Sequence, residues 1–78
     1  MPKLPLISGR RVVRALEKIG FEKSGQKGSH IKLIRIIEDR RQIVIVPLHQ
    51  QIKKGTLKKG ILRSINLSIK DFIRLLKK

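Results

Sequence analysis

Apolar residues recur at helical spacing through Val12, Ala15, Leu16 and Ile19, behind Ser8 and just before Gly20. A serine can accept hydrogen bonds from the free amides of a first helical turn, and a glycine can take the left-handed conformation that ends one. The pattern therefore predicts a first helix between Ser8 and Gly20. Residues 21–27 form a short segment that contains Gly25 and is bounded by Gly28, which reads as a weak edge strand. Residues 30–37 and 42–48 are rich in isoleucine and valine and read as two further strands. The polar Glu38-Asp39-Arg40-Arg41 between them is the predicted hairpin turn. Behind Gly55-Thr56, Leu57, Ile61, Leu62 and Ile65 return to helical spacing, although Gly60 costs that helix about 1 kcal/mol. Ser68, with Asp71 three residues on, starts a last helix. Ile69, Phe72, Ile73 and Leu76 share one of its faces, and Lys70, Arg74 and Lys77 another. The predicted class is α+β, a three-stranded antiparallel sheet packed on helices in the order α-β-β-β-α-α, with residues 1–78 as one domain.

If the hairpin closes symmetrically around Asp39-Arg40, His30 lies opposite His49. One face of the pair then carries Ile31, Leu33, Ile37, Val44, Val46 and Leu48, and is the predicted core face. The other carries His30, Lys32, Ile34, Ile36, Ile43, Ile45, Pro47 and His49. Four isoleucines are more apolar surface than the solvent side of a one-sided antiparallel sheet normally shows, so another chain is expected to cover them. The register of the first strand stays open: pairing Glu22 with Arg35 favours one parity, and burying Phe21 favours the other.

Charge changes the picture most. The 78 residues hold 20 Lys and Arg against 5 Asp and Glu, a formal net charge of +15. Neutralising phosphates and releasing their counterions is the natural source of affinity for such a chain, although an anionic membrane surface attracts the same charge. A chain of this length buries about 60 to 65% of its unfolded surface, enough for one modest core. It has no cysteine, which excludes disulfides and thiolate metal sites and is compatible with a reducing cytoplasm. Two histidines and five scattered carboxylates make a metal cage an unfavourable expectation, and no cofactor is expected. The apolar run at 43–48 is too short to span a membrane. Phe21 and Phe72 are the only aromatics of the Phe, Tyr and Trp type, so base-stacking platforms are not expected and RNA would be held by its backbone and shape.

Histidine titrates near neutrality and can give or take a proton at physiological pH. His30, after Lys27-Gly28-Ser29, is a candidate general acid or base acting on a ribose 2′-hydroxyl or a leaving 5′-oxygen; the alternative is a surface strand histidine without a role. Gly28 suits a positive φ in the turn, and Ser29 can bond either a phosphate or the turn backbone. His49 is either a second proton-exchanging group or a strand-end residue. Lys27 and Lys32 flank His30 as candidate stabilisers of transition-state charge. Lys53, Lys54 and the Gly55-Thr56 amides are a candidate phosphate contact at a helix start, with ordinary capping as the alternative.

Gly20-Phe21, Gln26-Lys27-Gly28-Ser29-His30, Val46-Pro47-Leu48-His49 and Lys54-Gly55-Thr56-Leu57, in this order of elements, resemble the HicA family of toxin-antitoxin ribonucleases from about Ser8 to Phe72. The resemblance implies a double-stranded-RNA-binding-domain-like fold, a toxin-type endoribonuclease that cleaves mRNA, a catalytic histidine at His30 and a HicB-type antitoxin as inhibitor. With no metal-ligand cluster in the sequence, the expected chemistry is metal-independent acid-base catalysis, and the apolar outer sheet face is expected to meet the antitoxin or a second copy of the chain. The competing class is a non-catalytic basic module that binds RNA or DNA. One departure is visible: family members usually place two residues between the Gly-Thr-Leu element and the next aliphatic, whereas Lys58, Lys59 and Gly60 precede Ile61 here.

Overall fold

The computed structural model describes residues 4–77. Helix α1 (Gly9–Glu17) leads into strands β1 (Glu22–Lys27), β2 (His30–Ile37) and β3 (Arg40–Pro47). A π-helix (Thr56–Leu62), a 3-10 turn (Arg63–Ile65) and helix α2 (Ile69–Leu76) complete the chain. The strands form one antiparallel sheet in the order β1-β2-β3. This is an α+β fold of the double-stranded-RNA-binding-domain type, as expected.

Both ends of α1 are sealed as its sequence requires. The Ser8 hydroxyl accepts a hydrogen bond from the Arg11 amide at 3.3 Å. At the other end Gly20 has φ +102°, and the Gly20 and Phe21 amides bond back to the Glu17 and Leu16 carbonyls, each at 3.2 Å. This paired closure turns Phe21 into the core. The Arg35 guanidinium stands 4.8 Å from the Phe21 ring centroid and donates to the Ile19 carbonyl at 3.0 Å and to the Gln42 side-chain oxygen. The α1 terminus is thereby tied to the sheet, and of the two registers left open the one that pairs Glu22 with Arg35 does not form: Glu22 pairs with Ile34.

The hairpin register corrects the expectation. A two-residue turn at Glu38-Asp39, with φ +51° and +62°, pairs His30 with Pro47 and Ile34 with Ile43. Positive φ at both central residues marks the mirror-image turn whose twist matches the strands. His30 therefore does not pair with His49. The shift is two residues, an even number, so the side-chain parity of the strands survives. Ile31, Leu33, Val44 and Val46 are buried, while Ile36, Ile43 and Ile45 are 75%, 42% and 49% exposed on the other face. Two positions depart from that pattern. Ile37, expected in the core, is 41% exposed because it closes β2 beside the turn, and Pro47, expected outside, is buried where α1 meets the end of β3.

A bulge resolves the open register of β1. Lys23 pairs with Leu33 and Gly25 with Lys32, leaving Ser24 as the extra residue. Because one additional residue reverses the alternation, Phe21, Lys23 and Gln26 take the core side of the sheet, while Lys27 joins His30 on the outer side.

The second predicted helix forms, but as a π-helix followed by a 3-10 turn rather than as an α-helix. The Arg63 amide donates to the Lys58 carbonyl, five residues back. A π turn holds one residue more than an α turn. With this winding Leu57, Ile61, Leu62 and Ile65 are all buried. Asn66 then takes φ +55°, and the Leu67 amide bonds to the Leu62 carbonyl at 3.0 Å, the same closure as at Gly20. In α2 the Ser68 hydroxyl accepts from the Asp71 amide at 3.1 Å and Phe72 is buried. Lys18 ties the helices together by donating to the Leu75 carbonyl at 2.7 Å. The core also takes in Leu4 and Ile7, held by the Ile52 amide bonding to the Ile7 carbonyl at 2.8 Å.

Glu38 and Asp39 carry side chains in a conformation that costs a non-glycine residue about 1 to 3 kcal/mol. Replacing the pair by Asn-Gly should raise unfolding stability by about 1 to 2 kcal/mol in urea titration, and an unchanged or lowered midpoint would contradict the strain.

Candidate nucleic-acid interface

The Gly28-Ser29 turn that carries His30 is a two-residue hairpin with φ +60° at Gly28, which is the position where the glycine was expected to be needed. The Gln26 side chain donates to the Gly28 carbonyl at 3.1 Å and braces the turn from within. On the far side, the Leu48 amide bonds to the Ser29 carbonyl at 2.6 Å. The turn is therefore held from both neighbouring strands, and His30, its first strand residue, emerges at a fixed place on the exposed face.

Lys27 sits directly across from His30 in the β1–β2 pairing, and Lys32 follows it on the same face. His49 lies two residues beyond the end of β3, yet its ring centroid is 6.4 Å from that of His30, with the planes at 68°. Neither imidazole is hydrogen-bonded to another described residue. The structure thus brings Lys27, Gly28, Ser29, His30, Lys32 and His49 together. Lys53, Lys54 and Thr56 stand exposed at the start of the helical segment, where no side chain caps the free amides, and none of them bonds to either histidine. Among the described residues no three of His, Cys, Asp or Glu stand close enough together to hold a metal ion. No described helix is long and apolar enough to cross a membrane.

What places His49 is Gly9. The Gly9 amide donates to the His49 carbonyl at 2.9 Å, and a Cβ on Gly9 would overlap the Pro47 carbonyl oxygen and stand 2.9 Å from the Leu48 Cα. The helix start is packed against the strand end with no room for a side chain. Sequence patterning did not single out Gly9, because a glycine after an N-cap serine has an adequate local explanation.

A second basic feature also went unread. A cleft of about 650 Å³ opens between α1 and the core side of β1, and Arg10, Arg11, Arg14, Lys23, Gln26 and Ser8 line it over a floor of Val13, Ile31 and Leu48. Among the described residues no carboxylate lies within ion-pairing distance of these four cations. The arginines were legible as the polar face of α1, but only the bulge in β1 reveals that Lys23 faces them.

Against this geometry, the family model of the HicA toxin of bacterial toxin-antitoxin systems matches residues 9–67. The chain belongs to the HicA toxin family. A comparison with curated proteins finds no match. The matched stretch of this HicA toxin begins at the glycine that seats α1 on β3 and ends at Leu67, whose amide closes the helical segment. Membership makes the protein the toxin of a toxin-antitoxin system and implies a cognate antitoxin.

Gly9→Ala should destabilise the fold by about 2 to 3 kcal/mol in chemical denaturation, because the new methyl meets backbone that cannot yield. It should also shift the imidazole resonances of both histidines in NMR spectra. A variant with wild-type stability and unchanged spectra would show that the helix start is not confined.

Proposed function

We propose that this HicA toxin is an endoribonuclease that cleaves mRNA, with His30 as the proton-transferring group and a HicB-type antitoxin as its inhibitor. The observation that carries the reading is the grouping of His30, Lys27, Lys32 and His49 on one exposed face beside a braced turn. In this chemistry the 2′-oxygen of a ribose attacks the adjacent phosphorus and the 5′-oxygen leaves, giving a 2′,3′-cyclic phosphate and a 5′-hydroxyl. His30 takes the 2′-hydroxyl proton or gives one to the departing 5′-oxygen. Lys27 and Lys32 stabilise the charge that builds on the phosphoryl oxygens. His49 is near enough to serve as the complementary acid or base, Gly28 and Ser29 shape the turn, and Lys53, Lys54 and Thr56 supply further phosphate contacts. The reaction needs no group beyond these side chains.

A second reading, a non-catalytic RNA- or DNA-binding module, is favoured by one observation: nothing among the described residues orients either imidazole. The two readings differ in cleavage. In EDTA, His30→Ala should lower the rate on a labelled mRNA fragment by about 10² or more, the usual contribution of a positioned proton-transfer group. The side chain is exposed, so the melting temperature should stay close to wild type. Cleavage above about a tenth of the wild-type rate would remove His30 from the chemistry.

The exposed Ile45, Ile43 and Ile36, which run along the outer face from beside His30 toward the Glu38-Asp39 turn, form the apolar strip that the antitoxin covers in this reading, with a second copy of the toxin as the competing occupant. The register that would set His30 opposite His49 would also set Ile34 opposite Ile45, but Ile45 pairs with Lys32. Ile43→Lys with Ile45→Lys removes the two β3 members of the strip. It should weaken antitoxin binding by about 1.5 to 3 kcal/mol in calorimetry, because fully burying each aliphatic side chain is worth about 1.5 to 3 kcal/mol and both are already half covered. Loss of the fold in this variant would instead place these isoleucines in the core.

A further inference from the structure

We infer that the cleft between α1 and β1 binds the phosphates of an unpaired RNA strand that crosses the edge strand β1 to reach His30. The inference rests on the ribonuclease reading above and assigns its substrate path.

Three observations carry it. The bulge at Ser24 divides the cations of β1 between two faces: Lys23 looks into the cleft with Arg10, Arg11 and Arg14, while Lys27 pairs with His30 on the other side of the sheet. The cleft is the complement of a polyanion, with four cations and, among the described residues, no carboxylate in ion-pairing reach. Between the two faces every residue of β1 is exposed, and at Gly25 a Cβ would meet nothing within 4 Å. Packing gives no reason for a glycine there, and a glycine inside a strand lowers its stability. A bare backbone is what a chain passing over the strand needs.

The path selects the form of the RNA. A stiff duplex cannot fold around one strand edge from the core side of the sheet to its outer side. In-line attack also needs the 2′-oxygen, phosphorus and 5′-oxygen near a line, which base-paired RNA does not allow and an unpaired nucleotide reaches by rotation. With no aromatic platform in the cleft, the strand is held by its phosphates rather than by stacked bases. Despite the fold's likeness to double-stranded-RNA-binding domains, the substrate of this surface is single-stranded.

The test compares steady-state cleavage of an unpaired RNA oligonucleotide and of the same sequence in a hairpin stem. The variant Arg10→Gln, Arg14→Gln, Lys23→Gln alters exposed side chains only. It should raise KM for the unpaired strand about 10- to 100-fold with kcat within about twofold. It should also reduce the salt dependence of log KM by about 2, at roughly 0.7 for each lost phosphate contact. Arg10→Lys, Arg14→Lys, Lys23→Arg should restore KM, and Gly25→Val should raise it without lowering the melting temperature. An unchanged KM in the glutamine variant, a hairpin cleaved as fast as the unpaired strand, or a variant that loses inhibition by the antitoxin while keeping its KM would overturn the assignment. Anisotropy of the same labelled oligonucleotide separates the two claims. If the wild type binds but does not cleave, weaker binding by the glutamine variant still supports the cleft while the ribonuclease reading fails, and equal binding overturns the cleft.

Discussion

The architecture depends on one close approach, the seating of α1 on the end of β3 at Gly9. Only a residue without a Cβ fits against the Pro47 carbonyl, and its amide is spent on the His49 carbonyl. The direction of α1 across the sheet follows from that seat. So does the burial of Val12, Val13, Ala15 and Leu16 against the sheet's inner face. The same contact holds the irregular chain after β3 where the His49 ring meets His30, and it aims the arginines of α1 at Lys23. A packing constraint between backbones thus sets the geometry of both basic surfaces.

Electrostatics works against the isolated fold and toward its partners. With a net charge of +15 and an exposed Arg74–Asp71 pair at 3.8 Å, the cations mostly repel one another. Folding is then carried by apolar burial in a core that contains no buried polar or charged side chain among the described residues. A polyanion relieves the repulsion, so polyanion binding and stability are coupled through the same charges. The antitoxin of this reading meets a different surface chemistry, isoleucines flanked by lysines and histidines, and occupies the face where the proposed reaction occurs.

Much of this was legible in the sequence because the signals are local. Ser8, Gly20 and Ser68 cap the helices where short-range rules put them, and the alternation in β2 and β3 identified the buried face despite a register error of two residues. That error came from the turn: Glu38 and Asp39 are not the glycines and asparagines that mark such a turn, so a centre one residue later looked equally good. The Ser24 bulge and the π-helix were invisible for a related reason. Both wind one extra residue into a regular pattern, and composition does not reveal which of several positions yields. At the site, the Gly-Ser-His element was readable, whereas Gly9 and the α1 cleft depend on chain segments far apart in sequence.

The central claim is that the histidine face cleaves RNA through the substrate's own 2′-hydroxyl. The most direct measurement uses an RNA oligonucleotide cut at a single mapped bond, with EDTA present, and its twin carrying one 2′-deoxy nucleotide on the 5′ side of that bond. The account predicts a 2′,3′-cyclic phosphate and a 5′-hydroxyl from the first, and no cleavage at that bond in the second. A 5′-phosphate product, or equal cleavage of the deoxy-substituted strand, would contradict it.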